Sequence, residues 1–209
     1  MQKAIEPDSG CAACPRLVDY RTANQAAHPD FHNAPVRSFG PLEAELLVVG
    51  LAPGLKGANW SGRPFTGDYA GDLLYPTLLK FGLGTGVYGA RADDGLELTK
   101  CRITNAVRCV PPENKVVGAE ITTCNAYLAA EMAAMPNLKA LIALGTVAHN
   151  AVLKALGIKQ SACKFGHCAQ HALANGLILT DSYHCSRYNT NTGRLTVAMF
   201  HDVFKAALD

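Results

Sequence analysis

The sequence predicts an α/β domain built on a central, mainly parallel sheet of four strands with helices on both faces. Four short aliphatic runs, at 46–51, 101–107, 139–144 and 177–182, have the length and composition of strands buried on both sides. Helical patterns of ten or more residues separate or follow them. Strands alternating with helices of this length indicate βαβ units joined by right-handed crossovers. No internal repeat or linker interrupts the 209 residues, which suit one domain spanning 1–209.

The elements follow in order. The first forty residues are polar and rich in Pro and His, and Pro15 stands just after a C-x2-C pair, where it suits the first turn of a short helix. Residues 46–51 then read as a strand that breaks at Ala52-Pro53-Gly54 into a loop kept bare by Gly57, Gly62 and Gly67. Helical spacing recurs in 69–83 (Leu73, Leu74, Leu78, Phe81), with Asp68 placed to cap its start. It recurs in 118–135 (Ile121, Cys124, Leu128, Met132), in 145–156 (Val152, Leu153, Leu156) and in 195–208 (Met199, Phe200, Val203, Phe204).

Bulk composition narrows the function classes. A formal net charge of +2 gives no strong electrostatic field for nucleic acid, so any such binding should be modest and shallow in its salt dependence. No apolar run is long enough to span a bilayer, and MQKAIEPDSG lacks a signal-peptide core, so a cytoplasmic, monomeric protein is expected. Eight cysteines without an export signal argue against a disulfide scaffold. Cys11 and Cys14 form one tight pair, while Cys109 and Cys124 stand singly downstream. That spacing leaves an iron–sulfur cluster, a zinc site and plain thiols all open. Cys101 and Cys185 read as core residues. Cys163, His167, Cys168 and His171 make a second set of donors, but no periodicity aims them at one point.

The glycine-rich loop carries the strongest functional signal. A strand that ends in such a loop at its carboxyl edge is where open α/β sheets bind ligands. No Gly-Lys-Ser/Thr closes it as a phosphate loop, and the dinucleotide fingerprint is absent. Asn59, Phe65 and Asp68 instead offer an amide, an aromatic plate and a carboxylate, a set suited to a planar heterocycle. In a parallel sheet the loops after Gly50, Asn105 and Ser182 converge, bringing together Asn59, Asn105, His184 and Asn189. Each alone has a plain structural reading as a turn former or a hydrogen-bonded core residue.

Three segments together, GLAPGLKGAN with GRPFTGD, RITNAVRCVPPENK and HCSRYNTNTGRLT, resemble uracil-DNA glycosylases of the iron–sulfur-containing branch, more narrowly the type B enzymes of family five. The resemblance runs from CAACPRLV to the final helix. It implies a three-layer α/β/α sandwich and a 4Fe–4S cluster held by Cys11, Cys14, Cys109 and Cys124, structural and away from the base pocket. It also assigns the segment with Cys163 and Cys168 to a hairpin, which weakens the second-metal reading.

The implied reaction is hydrolysis of the N-glycosidic bond of uracil in DNA, with hypoxanthine and xanthine as further candidate bases, after the nucleotide is flipped out. By the resemblance, His184 donates to the O2 of the departing base and Asn105 reads its edge. Phe65 stacks, the backbone of Ala52 and Gly54 lines the pocket, and Asn189 joins the substrate contacts. Ser186, Arg187 and Tyr188 enter the duplex beside the gap. Asn59 occupies a position where family members carry Asp or Asn. An amide there orients water but cannot take its proton. Arg16, Arg63, Arg108, Lys115 and Arg194 are either phosphate contacts or ordinary side chains. The alternative is an iron–sulfur DNA-binding or redox protein with a non-catalytic pocket.

Overall fold

The structure, a computed structural model, describes residues 4–174 and 176–209. Its strands are β1 (Leu46–Gly50), β2 (Gly84–Thr85), β3 (Glu97–Leu98), β4 (Cys101–Asn105), β5 (Ala140–Leu144), β6 (Gln170–Ala172) and β7 (Ile178–Ser182). The helices are α1 (Pro15–Ala27), α2 (Ala58–Ser61), α3 (Tyr69–Lys80), α4 (Gly118–Ala134), α5 (Thr146–Ala155), α6 (Arg187–Asn191) and α7 (Val197–Leu208). The main sheet has five strands in the order β4-β1-β5-β7-β6, and β2 with β3 forms a separate ribbon. The four predicted strands pair in parallel. The fifth, β6, adds antiparallel to β7 at the edge, so the sheet is one strand wider than expected.

Alternation along the strands builds two cores. Leu46 and Val48 of β1, with Ile103 and Ile142, pack with Leu74 and Leu78 of α3 and Phe200 and Phe204 of α7. Leu47, Val49, Leu141 and Leu179 face the other way, among Leu128 of α4 and Val152 of α5. The result is the expected three-layer α/β/α arrangement. Burying a Leu or Phe fully contributes about 1.5–3 kcal/mol, so these two layers supply most of the driving force.

Asp68 caps α3 as predicted, accepting from the backbone N–H groups of Ala70 and Gly71. That helix ends at Lys80, three residues short of the predicted 83, because the chain reverses at Gly82 with φ +66°. Arg63 and Arg108, possible phosphate contacts by sequence, belong to the interior. Arg108 and Arg102 grip the two oxygens of Glu131 at 2.6 and 2.5 Å, and both also reach Glu6 from the start of the chain. Burial alone would raise the Glu131 pKa, yet the two guanidinium groups hold it below its usual value. Arg63 forks onto Asp94 at 2.8 and 2.7 Å, with its guanidinium 5.1 Å from the centres of the Phe39 and Tyr75 rings. Such desolvated cations, each held by buried carboxylates, are structural and cannot turn to a phosphate.

Candidate active site

The parallel register delivers the site. Gly50, the last residue of β1, pairs directly with Asn105, the last residue of β4. On the other side Leu144 pairs with Ser182, and Gly145 N–H donates to the Ser182 carbonyl at 2.8 Å. Two residues beyond Ser182 comes His184, whose Cβ lies 3.7 Å from where a side chain on Gly145 would begin.

Gly50 forms the floor. A Cβ there would overlap both Asn105 Oδ1 and Phe65 Cζ, and would sit 2.9 Å from Phe65 Cε2. Phe65 has left-handed backbone, φ +52°, unusual for an aromatic residue, and its surroundings over-determine it. Tyr75 Oη donates to the Pro64 carbonyl at 2.5 Å, Arg63 Nε to Thr66 Oγ1 at 2.7 Å, and Tyr88 Oη to the Phe65 carbonyl at 3.3 Å. Gly71 is bare because any Cβ would strike the Phe65 carbonyl. The buried Arg63–Asp94 clamp thus has a purpose: it fixes the turn that presents Phe65.

Asn105 is buried, and its Oδ1 has no partner. A buried acceptor left unsatisfied costs about 1–3 kcal/mol and calls for an explanation. A donor on a ligand supplies one.

The His184 ring lies 6.1 Å from the Phe65 ring, centre to centre, with planes 29° apart. It is packed on most sides but keeps part of its surface open. Burial pushes its pKa down to about 4, with no neighbouring charge or hydrogen bond contributing. At neutral pH the imidazole is therefore uncharged, with one N–H to donate. Asn189 Nδ2 donates to the His184 carbonyl at 2.8 Å, and the Asn189 carbonyl accepts from Leu195 N–H. Asn189, expected among the substrate contacts, has its amide N–H on the segment that carries His184. Ser186 caps α6, Arg187 rests 5.2 Å from the Tyr69 ring centre, and Tyr188 projects with 72% exposure.

Asn59 is buried in the short α2, where its N–H reaches the Gly54 carbonyl at 3.0 Å and its Nδ2 donates to Asn33 Oδ1 at 2.9 Å. The Gly54 carbonyl is therefore occupied within the loop, accepting from Gly57 as well. Ala52 packs toward Leu17, Val107, Cys109 and Cys124. Asp68 presses against Gly57 and has its carboxyl pKa raised by burial, in keeping with a cap that faces inward.

Cys11, Cys14, Cys109 and Cys124 line a single small cavity with Leu17, Arg21 and Tyr127. Pro15 starts α1 immediately after the pair, and Cys14 is its N-cap residue. Burial raises the pKa of Cys14, Cys124 and Cys109, the last to about 12. Four crowded sulfurs become thiolates readily only when a metal core offsets their charge. Arg21 adds a second sign: Nη2 donates to the Cys11 carbonyl at 2.9 Å, while Nη1 is buried without a partner. A cationic donor left over in a cavity of cysteines fits an anionic thiolate-bound centre. Elsewhere in the described residues, His149, His171 and Asp181 hold their ligand atoms within 4.8 Å of one another.

That other group lies under the hairpin formed by β6 and β7. His149 Nδ1 meets Asp181 Oδ1 at 2.7 Å, its Nε2 meets the Cys163 carbonyl at 3.0 Å, and His171 Nε2 meets Asp181 Oδ2 at 3.1 Å. Of the second donor set suggested by the sequence, only His171 belongs to it. His167 accepts from Tyr183 N–H and stacks on that ring at 4.8 Å. These are hydrogen-bond distances in a satisfied polar core.

A family model described as the uracil DNA glycosylase superfamily matches residues 37–208. The chain belongs to that superfamily. A Type-5 uracil-DNA glycosylase of Thermus thermophilus is 41% identical over 97% of this chain and 94% of its own length. One from Pyrobaculum aerophilum is 40% identical over 94% of this chain and 87% of its own. A Type-4 uracil-DNA glycosylase of the latter organism is 30% identical over 75% of this chain and 66% of its own.

Within this glycosylase fold, Gly50, Phe65, Asn105 and His184 form one cluster, with Asn59 tied to the same loop. The cysteines gather apart, beyond Ala52 and Val107. The surface cations Arg16 and Lys115 pair with Glu120 and Glu113, and Arg194 lies 4.5 Å from the Tyr183 ring centre. Sequence reasoning missed Arg21 and Asn33. Both lie in the polar first forty residues, where no periodicity separates a buried side chain from a solvated one. Among the described residues, no helix is long and apolar enough to cross a membrane.

Proposed function

We propose that this chain is a monofunctional DNA glycosylase that hydrolyses the N-glycosidic bond of uracil, with hypoxanthine and xanthine as further candidate bases. The observation that carries the reading is the orphaned Asn105 Oδ1 beside the Phe65 plate and a neutral His184. A flipped uracil stacks on Phe65. Its N3–H satisfies Asn105 Oδ1, and its O4 accepts from Asn105 Nδ2. Cytosine offers a bare N3 acceptor and an amino donor there, the opposite pattern, and is rejected by unpaired polar groups.

In the reaction the bond from the base nitrogen to the anomeric carbon breaks, and both electrons leave with uracil. Charge accumulates on its O2, where the neutral His184 N–H donates. Water oxygen bonds to the anomeric carbon, which has oxocarbenium character, and the water's proton is lost to solvent or the departing base. Asn59 positions that water. Since an amide accepts no proton near neutral pH, leaving-group stabilisation carries the larger share of catalysis. Asn189 serves by fixing the His184 backbone. Tyr188, with Ser186 and Arg187, occupies the gap left in the duplex.

Cys11, Cys14, Cys109 and Cys124 are proposed to hold a 4Fe–4S cluster, with Arg21 donating toward it. When bound, such a cluster supplies a rigid crosslink between the start of the chain and the segment after β4. A polypeptide that binds uracil-containing DNA through this pocket without cutting is the competing reading. Alkali-revealed cleavage of a labelled uracil oligonucleotide, single- and double-stranded, at enzyme excess separates the two. Strand breaks are expected with wild type and lost with His184→Ala. No breaks in either substrate would overturn the glycosylase reading. Iron and acid-labile sulfide analysis of purified protein tests the cluster, and zinc without iron would overturn it.

A further inference from the structure

Asn59 is useful to water only if its amide points the right way, and an amide has two chemically opposite ends. We infer that Asn33 sets that direction and is a positioning residue for the hydrolysis. The inference rests on the proposed role of Asn59.

The constraint originates in backbone carbonyls, which can only accept. Asn33 Nδ2 donates to the His28 carbonyl at 2.7 Å and approaches the Asn24 carbonyl at 3.4 Å. Turning the Asn33 amide over would set its oxygen against two carbonyl oxygens, so its Nδ2 is fixed on that side. Asn33 Oδ1 must then face Asn59. An acceptor in that place requires a donor opposite, and Asn59 Nδ2 fills the role at 2.9 Å. Asn59 Oδ1 is therefore the end left for a ligand, as an acceptor for one hydrogen of the attacking water.

The relay is held from every side. Asn33 N–H donates to the Asn59 carbonyl at 3.2 Å, and Gln25 Nε2 donates to the Asn33 carbonyl at 3.2 Å. Asn33 has φ +45°, a conformation that Asn tolerates better than most residues, and both amides are buried. The two anchoring carbonyls belong to the end of α1 and its C-cap, and the Cys11–Cys14 segment leads directly into its start at Pro15. One helix therefore connects the cysteine cavity to the orientation of the water-binding amide.

The test is a double-mutant cycle on single-turnover excision, with melting temperature and abasic-DNA affinity measured alongside. Asn33→Gly suits the left-handed backbone and removes the relay, so the rate should fall about tenfold while product affinity holds. In an Asn59→Ala background the same change should cost nothing further, because Asn33 acts through Asn59. Asn33→Asp keeps an acceptor toward Asn59 but sets its second oxygen against the His28 and Asn24 carbonyls. It should lower the melting temperature yet keep the rate within about threefold of wild type. Additive losses in the cycle, or a rate that follows melting temperature across both Asn33 variants, would overturn the relay. If Asn59→Ala alone leaves the rate unchanged, the role assigned to Asn59 fails first, and the relay fails with it.

Discussion

Gly50→Ala is the sharpest steric probe of the base cradle. The backbone tolerates it, since Gly50 lies in a strand and is not among the positive-φ glycines. In a strand interior Ala is favoured over Gly by about 0.5–1 kcal/mol. Against that, the new methyl would stand 2.9 Å from Phe65 Cε2 and would overlap Phe65 Cζ and Asn105 Oδ1 outright. Carbon atoms rest about 3.5–4.0 Å apart, so ring and amide must each retreat by about 1 Å. Phe65 cannot do so freely, because its carbonyl is wedged against Gly71 and its turn is clamped by Arg63 and Tyr75. Overpacking of this kind costs about 1–3 kcal/mol, which after the strand gain leaves a net loss of up to about 2.5 kcal/mol. The catalytic loss should be larger, because a 1 Å misplacement can cost about 100-fold in rate. Single-turnover excision of uracil from a labelled oligonucleotide, with chemical denaturation of the same preparation, measures both. A variant that is more stable than wild type and equally fast would show that Phe65 and Asn105 do not close over Gly50 during the reaction.

Other perturbations separate the remaining roles. His184 has its folded-state pKa lowered to about 4, below the unfolded value of 6.5, so its contribution to stability is full above pH 6.5 and is lost as pH falls toward 4. The loss is at most about 3 kcal/mol, less because part of the ring meets solvent, and should be absent in urea titrations of His184→Gln. The same shift puts any acid limb of kcat/KM due to His184 near pH 4, and a limb at 6.5 that vanishes in His184→Gln would contradict it. Asp68→Asn keeps an acceptor for the Ala70 and Gly71 N–H groups and should excise within a few-fold of wild type, whereas Asp68→Ala should lose about 1 kcal/mol in denaturation. A thousandfold slower Asp68→Asn enzyme would instead reveal a carboxylate base. Arg63→Met leaves Asp94 with only the backbone N–H groups of Gly89 and Leu96, and should cost about 3 kcal/mol in thermal or chemical unfolding. Cys109→Ser should lower the iron content and the melting temperature together, and unchanged iron would remove Cys109 from the ligand set.

The sequence made the layered fold legible because its strands are uniformly aliphatic and its long helices periodic. Residues 118–135 were predicted helical, and α4 ends at Ala134. The misses share a cause. Gln-His-Ala of β6 has neither alternation nor β-branched content, and α2 and α6 are too short to show a period. Asn105, Phe65 and His184 were legible because parallel topology sends their loops to one edge. Asn33 was not, because the polar first forty residues carry no periodicity and only its bonds to the end of α1 aim it at Asn59. The buried Arg63 and Arg108 show a further limit. Charge in a sequence does not reveal whether its partner is solvent, phosphate or a carboxylate thirty or a hundred positions away.

The Glu6 contacts bear on the order in which the chain assembles. Glu6 reaches Arg108 across a separation of 102 residues, and the cysteine pair at 11 and 14 waits for partners at 109 and 124. Closing so long a loop carries a large entropic cost that only contacts made at the end can repay. On the ribosome the start of the chain can meet Arg21, Ser38, Arg102 and Arg108 first, but the cysteine pair lacks its last companion until residue 124 of α4 has emerged. Loading of the proposed cluster would then come late in synthesis or after it, and a nascent chain stalled before residue 124 would expose its cysteines without the fourth ligand.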